Sequence, residues 1–269
     1  MWHNLAQLPR YRGLIQSLVA RELKARYRGS ALGAFWSFAN PLLLLLIYSA
    51  VFKYFVPSRG NVQPYALFLF CGLLPWTWFA ASLNESTNVL IAGGNLIKKV
   101  MFPAEVLPIV SVLANMVHFL LGLPILAGFL AYYAFASGEH QVALHAGELV
   151  WFPLVVAVQL LLTTGLALFF SSLAVHFRDI RDILSNLLTF WFFATPIIYW
   201  WGSVPELRFW LDFNPMTHLA VSYQEILFFP ENAYGHWKWL LALGGVSVGV
   251  FFAGYFVFDR LRDSFAEVV

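Results

Sequence analysis

Charge is scarce in this sequence. Only 11% of its 269 residues are charged while 60% are hydrophobic, and the mean hydropathy is +0.71; soluble domains carry about 25% charged and roughly 45 to 50% apolar residues. That imbalance excludes a soluble globular chain and leaves an integral membrane protein. Cysteine is scarcer still. Cys71 stands alone inside an apolar run, which excludes an internal disulfide and a cysteine metal cage and leaves a small buried hydrophobe. No GxxxxGK[ST], HExxH or GxSxG occurs; "AGGNLIKK" holds adjacent glycines and lysines without the spacing that cradles phosphates. The chain is therefore not expected to bind ATP itself. His3, His118, His140, His145, His176, His218 and His236 are scattered over different elements, so no metal site is expected. A formal net charge of +2 is too small to argue for nucleic acid. The N-terminus lacks a compact apolar core ending in a small-residue cleavage site, so no removable signal peptide is expected.

Long apolar runs are what the sequence has instead. A helix rises about 1.5 Å per residue and the hydrocarbon core is about 30 Å thick, so a span needs roughly 20 apolar residues. Six spans are predicted, at about 32–55, 64–84, 105–134, 149–174, 183–201 and 238–258. All should be helices, since backbone polar groups in lipid must be satisfied within the segment. Residues 31–269 form one transmembrane domain, and an even count puts both termini on one side. That side carries Arg10, Arg12, Arg21, Lys24, Arg26, Arg28, Lys98, Lys99, Arg178, Arg181, Arg260 and Arg262, whereas the other has Lys53, Arg59, Arg208 and Lys238. The positive-inside rule makes both termini cytoplasmic.

Residues 1–30 read as a separate cytoplasmic element. From Pro9, a good helix-start residue, Leu14, Ile15, Leu18, Val19 and Leu23 share one helical face; Arg21, Glu22, Lys24, Arg26 and Arg28 take the remainder. Such a helix lies in the membrane interface near anionic headgroups, either as a docking element or as a simple topogenic anchor. The first cytoplasmic loop, "NESTNVLIAGGNLIKKVMFPAEVLPI", places a short helix between a Gly93-Gly94 break and a Pro103–Pro108 corner around Glu105. It suits docking; the alternative is a basic loop without a partner.

The external segment from Gly202 to Trp237 is too apolar for a solvated loop, and Pro205, Pro215 and Pro230 divide it. It reads as one or two re-entrant helices before the last span. Aromatic residues make up 18% of the chain, and Trp76, Trp78, Trp191, Phe192, Tyr199, Trp200 and Trp210 gather toward the outer half. They form either an interfacial belt or, in part, a conduit wall whose rings stack on sugar faces. Ionisable residues inside the spans are almost missing. Asn115, His118 and Gln159 are the polar candidates, with His118 either a neutral histidine between helices or a proton relay. Ion-coupled transporters carry intramembrane carboxylates, so energy is expected to come from a partner. In "FRDIRDILSNLLTFWFFATPIIYWW", Arg178, Asp179, Arg181 and Asp182 form a cytoplasmic rim, with Arg178 and Asp182 spaced for an i, i+4 pair. Pro196 is expected to bend the fifth span near its outer end.

Four motifs in order, "RELKARYRGSALGAFWSFANPLL", "NLIKKVMFPAEVLPI", "FRDIRDIL…TPIIYW" and "FNPMTH", resemble the permease subunits of bacterial polysaccharide-export ABC transporters, the group for O-antigen, capsule and teichoic acid. The resemblance covers nearly the whole chain. It implies a homodimer of six-helix subunits in the cytoplasmic (inner) membrane, with a conduit for a lipid-linked glycan at the dimer interface. It also implies two copies of a separate ABC ATPase subunit that hold ATP and Mg; this chain binds no cofactor and makes no covalent bond. Carried over by position, the ATPase-coupling residues are Arg21, Glu22, Lys24, Arg28, Asn95, Lys98, Lys99, Phe102 and Glu105. Within transport, an exporter of a drug, haem or small lipid is the alternative. A membrane-embedded glycan- or lipid-modifying enzyme would need clustered acids, and Glu139, Glu148, Glu206, Asp212, Glu225 and Glu231 are dispersed along the sequence. A scaffold protein would have no use for the coupling-like loop.

Overall fold

The computed structural model describes residues 8–54, 64–99, 102–135, 147–229 and 234–268, and among them every regular element is helical. In chain order the helices are α1 (Arg12–Arg26), α2 (Trp36–Tyr54), α3 (Tyr65–Ala92), α4 (Gly94–Lys99), α5 (Val106–Phe135), α6 (Phe152–His176), α7 (Ile180–Phe193), α8 (Arg208–Phe213), α9 (Pro215–Leu227) and α10 (Trp237–Val268). Residues 1–7 of the expected interface element lie outside the described residues, and Pro9 falls in a 3-10 turn, Leu8–Tyr11, ahead of α1.

Four helical stretches are long and apolar enough to cross a membrane: Tyr65–Ala92, Val106–Tyr133, Glu148–His176 and Trp237–Phe265. The chain is a multi-pass helical membrane protein. The other two expected spans are shorter. α2 carries its apolar stretch over Trp36–Val51, and α7 stops after 14 residues, about 21 Å at the helical rise. The single span expected over 183–201 is thus a short helix followed by a turn. Pro196 does not bend the helix but lies beyond its end at Phe193, where the Thr195 N–H bonds to the Phe192 carbonyl at 3.2 Å.

α3 runs eight residues past its expected end at 84. "NESTN" looks like a chain leaving the membrane, yet the Ser86 and Thr87 hydroxyls donate back to the Leu83 and Asn84 carbonyls, each at 2.7 Å. Hydroxyls that bond their own helix cost little when buried. α3 is the centre of the bundle: its most apolar stretch is 83% buried, against 28% for that of α10 at the periphery. In lipid there is no hydrophobic drive between helices, so close packing holds them together. α6 and α10 make the tightest crossing. A Cβ on Gly165 would sit 2.6 Å from the Phe251 Cα, and one on Gly254 would run into the Gly165 carbonyl.

Both described chain ends meet at one end of the bundle. Leu18 of α1 packs on Val106 and Val110, while Phe265 packs with Val175 and His176 Nε2 lies 2.9 Å from the Ser264 hydroxyl. This is the basic end; the opposite, aromatic end carries α8 and α9.

Candidate functional site

α1 turns Leu14, Ile15, Leu18 and Val19 toward Val106, Val110 and Phe102, so its apolar face is spent on protein contact. Gly29, at φ +81°, then turns the chain away from the helix axis, a conformation that costs a side-chain-bearing residue strain. Arg26, the last residue of α1, lies between helices. Its guanidinium donates to Glu85 Oε2 of α3 at 2.5 Å and to Asn115 Oδ1 of α5 at 2.9 Å. Asn115 Nδ2 donates to the same carboxylate at 2.7 Å and Ser111 Oγ to it at 3.2 Å. With Glu85 40% and Arg26 21% exposed, solvent screens the attraction, and the cluster's effect is to fix α1 against α3 and α5. The hydroxyl of the next residue, Tyr27, accepts from Ser37 Oγ at 2.7 Å and lies 3.4 Å from His118 Nδ1. Arg26, Tyr27, Ser37, Asn115 and His118 line a cavity of about 360 Å³ together with Leu44, Leu73, Leu74 and Phe119.

The residues assigned to coupling divide by exposure. Arg21, Lys24, Arg28, Asn95 and Lys98 are exposed on the basic end, and Glu22 is half-buried, 3.7 Å from the Arg26 guanidinium. Lys99 closes α4. Phe102 points inward, wedged between the α1 contact and the cluster of Leu90, Leu107, Tyr255 and Phe258. Glu105 is buried, 3.7 Å from Arg262 of α10. The loop is thereby joined to α1 on one side and to the end of α10 on the other. Arg178, Asp179, Arg181 and Asp182 line a neighbouring recess of about 350 Å³ with Thr87, Ile91 and Ala174. No ion pair joins Arg178 to Asp182 among the described residues, contrary to expectation. Helical i, i+4 spacing needs both residues in the helix, and α7 begins only at Ile180. Asp179 at the N-cap and Asp182 in the first turn do complement the helix dipole.

At the aromatic end the arrangement hangs on Asn214. Asn-Pro is a good helix start, because asparagine caps the first free N–H and proline needs none. Asn214 Oδ1 accepts from the Met216 N–H at 3.0 Å and from Trp191 Nε1 at 2.6 Å. Its Nδ2 donates to the Ala194 carbonyl at 3.1 Å and to Thr195 Oγ1 at 3.0 Å. One side chain thus starts α9 and closes α7. Gln224 Nε2 adds a bond to the Pro196 carbonyl at 3.0 Å, passing Gly72 of α3, where a Cβ would stand 3.1 Å from it. α9 is buried along nearly its whole length, which explains why its segment is too apolar for a loop.

The aromatic candidates separate here. Trp191 and Tyr199 line a crevice of about 440 Å³ with Phe190, Phe193, Trp210 and Phe213. Trp200 is about half exposed. Trp76 and Trp78 are buried: Trp76 packs on Phe192 with centroids 5.6 Å apart, and Trp78 stacks on Phe119 at 5.1 Å while its Nε1 donates to the Val112 carbonyl at 3.1 Å. In the single chain neither borders the crevice. Gln159, also buried, donates to the Pro75 carbonyl at 2.8 Å. Sequence reasoning missed Glu85, hidden in a stretch read as loop, and Asn214, whose Asn-Pro signature was there to be read.

What this arrangement defines is a membrane bundle with a basic, loop-bearing end and an aromatic end. The chain matches the ABC-2 type transporter model over residues 13–228, and it belongs to that family. It is 40% identical over 266 residues to the O-antigen export system permease protein RfbA of Myxococcus xanthus, covering 98% of each chain. It is 32% identical over 258 residues to the RfbA protein of Klebsiella pneumoniae, covering 95% of each. The polysialic acid transport protein KpsM of Escherichia coli is 25% identical over 208 residues, 77% of this chain and 78% of that one.

Proposed function

We propose that this chain is the transmembrane subunit of an ATP-driven exporter moving a lipid-linked polysaccharide, of O-antigen type, across the bacterial cytoplasmic membrane through a conduit between two copies of itself. The end-to-end similarity to O-antigen export permeases supports the cargo class. The observation that carries the conduit is the bare face of α7. Asp182, Ser185, Asn186 and Thr189 are all exposed and follow one stripe at helical spacing. Exposed Ile183, Leu187 and Phe190 run beside them, while Leu184 and Leu188 are buried against the bundle. Polar side chains facing hydrocarbon are costly; against a second copy or a water-filled passage they are satisfied.

In this reading α2 and α7 bring the crossings to six, the termini and basic end are cytoplasmic, and α8 and α9 form a re-entrant hairpin at the outer mouth. The aromatic crevice continues the α7 stripe outward, offering flat rings to sugar faces. Two ATP-binding subunits, which hold ATP and its Mg, dock on exposed Arg21, Lys24, Arg28, Asn95 and Lys98. Phe102 and Glu105 pass the movement inward to α1 and α10. A switch of this kind is driven only by contacts that differ between its two states.

Cross-linking tests the arrangement, because Cys71, the sole cysteine, is buried and Cys71→Ser gives a clean background. Asn186→Cys or Thr189→Cys should yield a cross-linked dimer in membranes, whereas Leu241→Cys, on the exposed flank of α10, should not. Monomer alone from both α7 positions would remove α7 from the dimer interface.

A further inference from the structure

Two histidines far apart in the sequence are buried side by side at the aromatic end. His218 on α9 and His236 just before α10 are 5% and 3% exposed, with His218 Nδ1 3.1 Å from His236 Nε2. Their protons can be placed by elimination. The Asp212 carbonyl, 2.9 Å from His218 Nε2, can only accept, so Nε2 carries the hydrogen and Nδ1 of a neutral His218 accepts. His236 Nε2 must then donate to it, which leaves His236 Nδ1 bare. That bare nitrogen faces Glu225 Oε1 at 3.8 Å, while Glu225 Oε2 accepts from the Gly235 and His236 N–H groups, each at 3.2 Å. Two acceptors therefore face each other, and one proton on either removes the opposition.

We infer that Glu225, His236 and His218 form a one-proton latch that fastens α9 to the start of α10 and opens when the surrounding solution turns acidic. With a proton on Glu225, its carboxyl no longer opposes the bare His236 nitrogen as a second acceptor, and a one-way row of hydrogen bonds runs from His236 through His218 to the Asp212 carbonyl. A second proton finds no compatible place in the closed latch: on His218 Nδ1 it sets N–H against N–H across the 3.1 Å contact, and on His236 Nδ1 it sets an N–H against the Glu225 carboxyl proton. The inference rests on the reading of this end as the outer mouth, since Asn214 ties the same helix to the aromatic crevice.

The surroundings favour this proton position. Burial raises the Glu225 carboxyl, assisted by Glu148 and opposed by its two N–H donors. Burial lowers His218, against the Asp212 carbonyl and carboxylate. Burial, His218 and Arg208 lower His236 from 6.5 to about 4. Both directions move the shared proton onto the carboxyl. Tyr234, on the same loop, bonds to Ser222, and Lys238 lies over the Trp237 ring. The sign follows from proton counting. The closed latch holds one proton; once released, both histidines protonate near their ordinary value of 6.5. Below that pH the released form binds more protons, so opening becomes favourable by up to tenfold per pH unit, one proton's worth.

Hydrogen–deuterium exchange of the full-length chain in lipid nanodiscs, corrected for intrinsic rates, tests this. Peptides covering 215–227 and 234–240 should lose up to tenfold in protection per unit below pH 6.5, while those at the α6–α10 crossing stay unchanged. Glu225→Gln supplies a fixed N–H donor to His236, so it should protect more than wild type at pH 7.5 and lose protection more steeply in acid, since both protons are then taken up on opening. A purely structural Glu225 would shift both curves in parallel. Equal protection at pH 6.5 and pH 5 in the wild type overturns the latch. Exchange does not depend on which side the site faces, so a labelling experiment placing these residues in the cytoplasm would instead overturn only the assignment to the outer mouth.

Discussion

Asn214→Ala should abolish export and visibly destabilise the chain. Four hydrogen bonds converge on this one side chain, and removing it strands the Trp191 N–H, the Met216 N–H and the Ala194 carbonyl in half-buried surroundings. A lost helix cap costs about 1 kcal/mol and each ordinary hydrogen bond contributes about 0.5 to 1.5, which together give about 2 to 4 kcal/mol. The loss is local: the end of α7, the start of α9 and the crevice between them lose their common fastening. Asn214→Asp separates the contributions. It keeps the acceptor for Trp191 and Met216 and loses the donor to Ala194 and Thr195, so about half the loss is expected. Thermal unfolding of the purified proteins, beside export in cells, checks the series. An alanine variant as stable and active as the wild type would refute the assigned role.

Gly254→Ala should prevent the chain from accumulating in the membrane at all. The new Cβ would meet the Gly165 carbonyl, and backbone, unlike a flexible side chain, has no rotamer to give way. Overpacking costs about 1 to 3 kcal/mol where side chains adjust and more where they cannot. Here the helices must separate at their closest point, which removes the packing that holds them in lipid. The same helix supplies the control. A Cβ on Gly249 meets nothing within 4 Å, so Gly249→Ala should be neutral or slightly stabilising, as alanine is the better helix former by about 1 kcal/mol. Membrane levels and monodispersity after extraction should separate the two variants, and equal tolerance would contradict the packing account.

Much of the architecture was legible because apolar length is a strong signal in lipid. The expected 105–134 and 149–174 agree closely with Val106–Phe135 and Phe152–His176. The break at Gly93 and the short helix α4 followed from two glycines. What escaped is what depends on partners distant in sequence. Glu85 looked like a loop acid until Arg26 and Asn115 were found beside it. Glu225 looked like one of several dispersed external acids, and only the fold brings it to His236. The end of α7 was misjudged because composition there is apolar through Trp201, whereas its termination is set by Thr195, Pro196 and the reach of Asn214. Trp76 and Trp191 look alike in sequence; burial alone separates a residue of the packed core from one that lines the crevice.

Reconstitution is the most direct test of transport. This chain would be placed in proteoliposomes with its ATP-binding partner and a lipid-linked glycan of O-antigen type, and appearance of the glycan on the opposite face would be followed. Transfer should require ATP, hydrolysis by the partner and this chain together, and should vanish with a hydrolysis-deficient partner. Glycan that crosses without ATP, or that stays in place while the assembled complex hydrolyses ATP, would contradict the account.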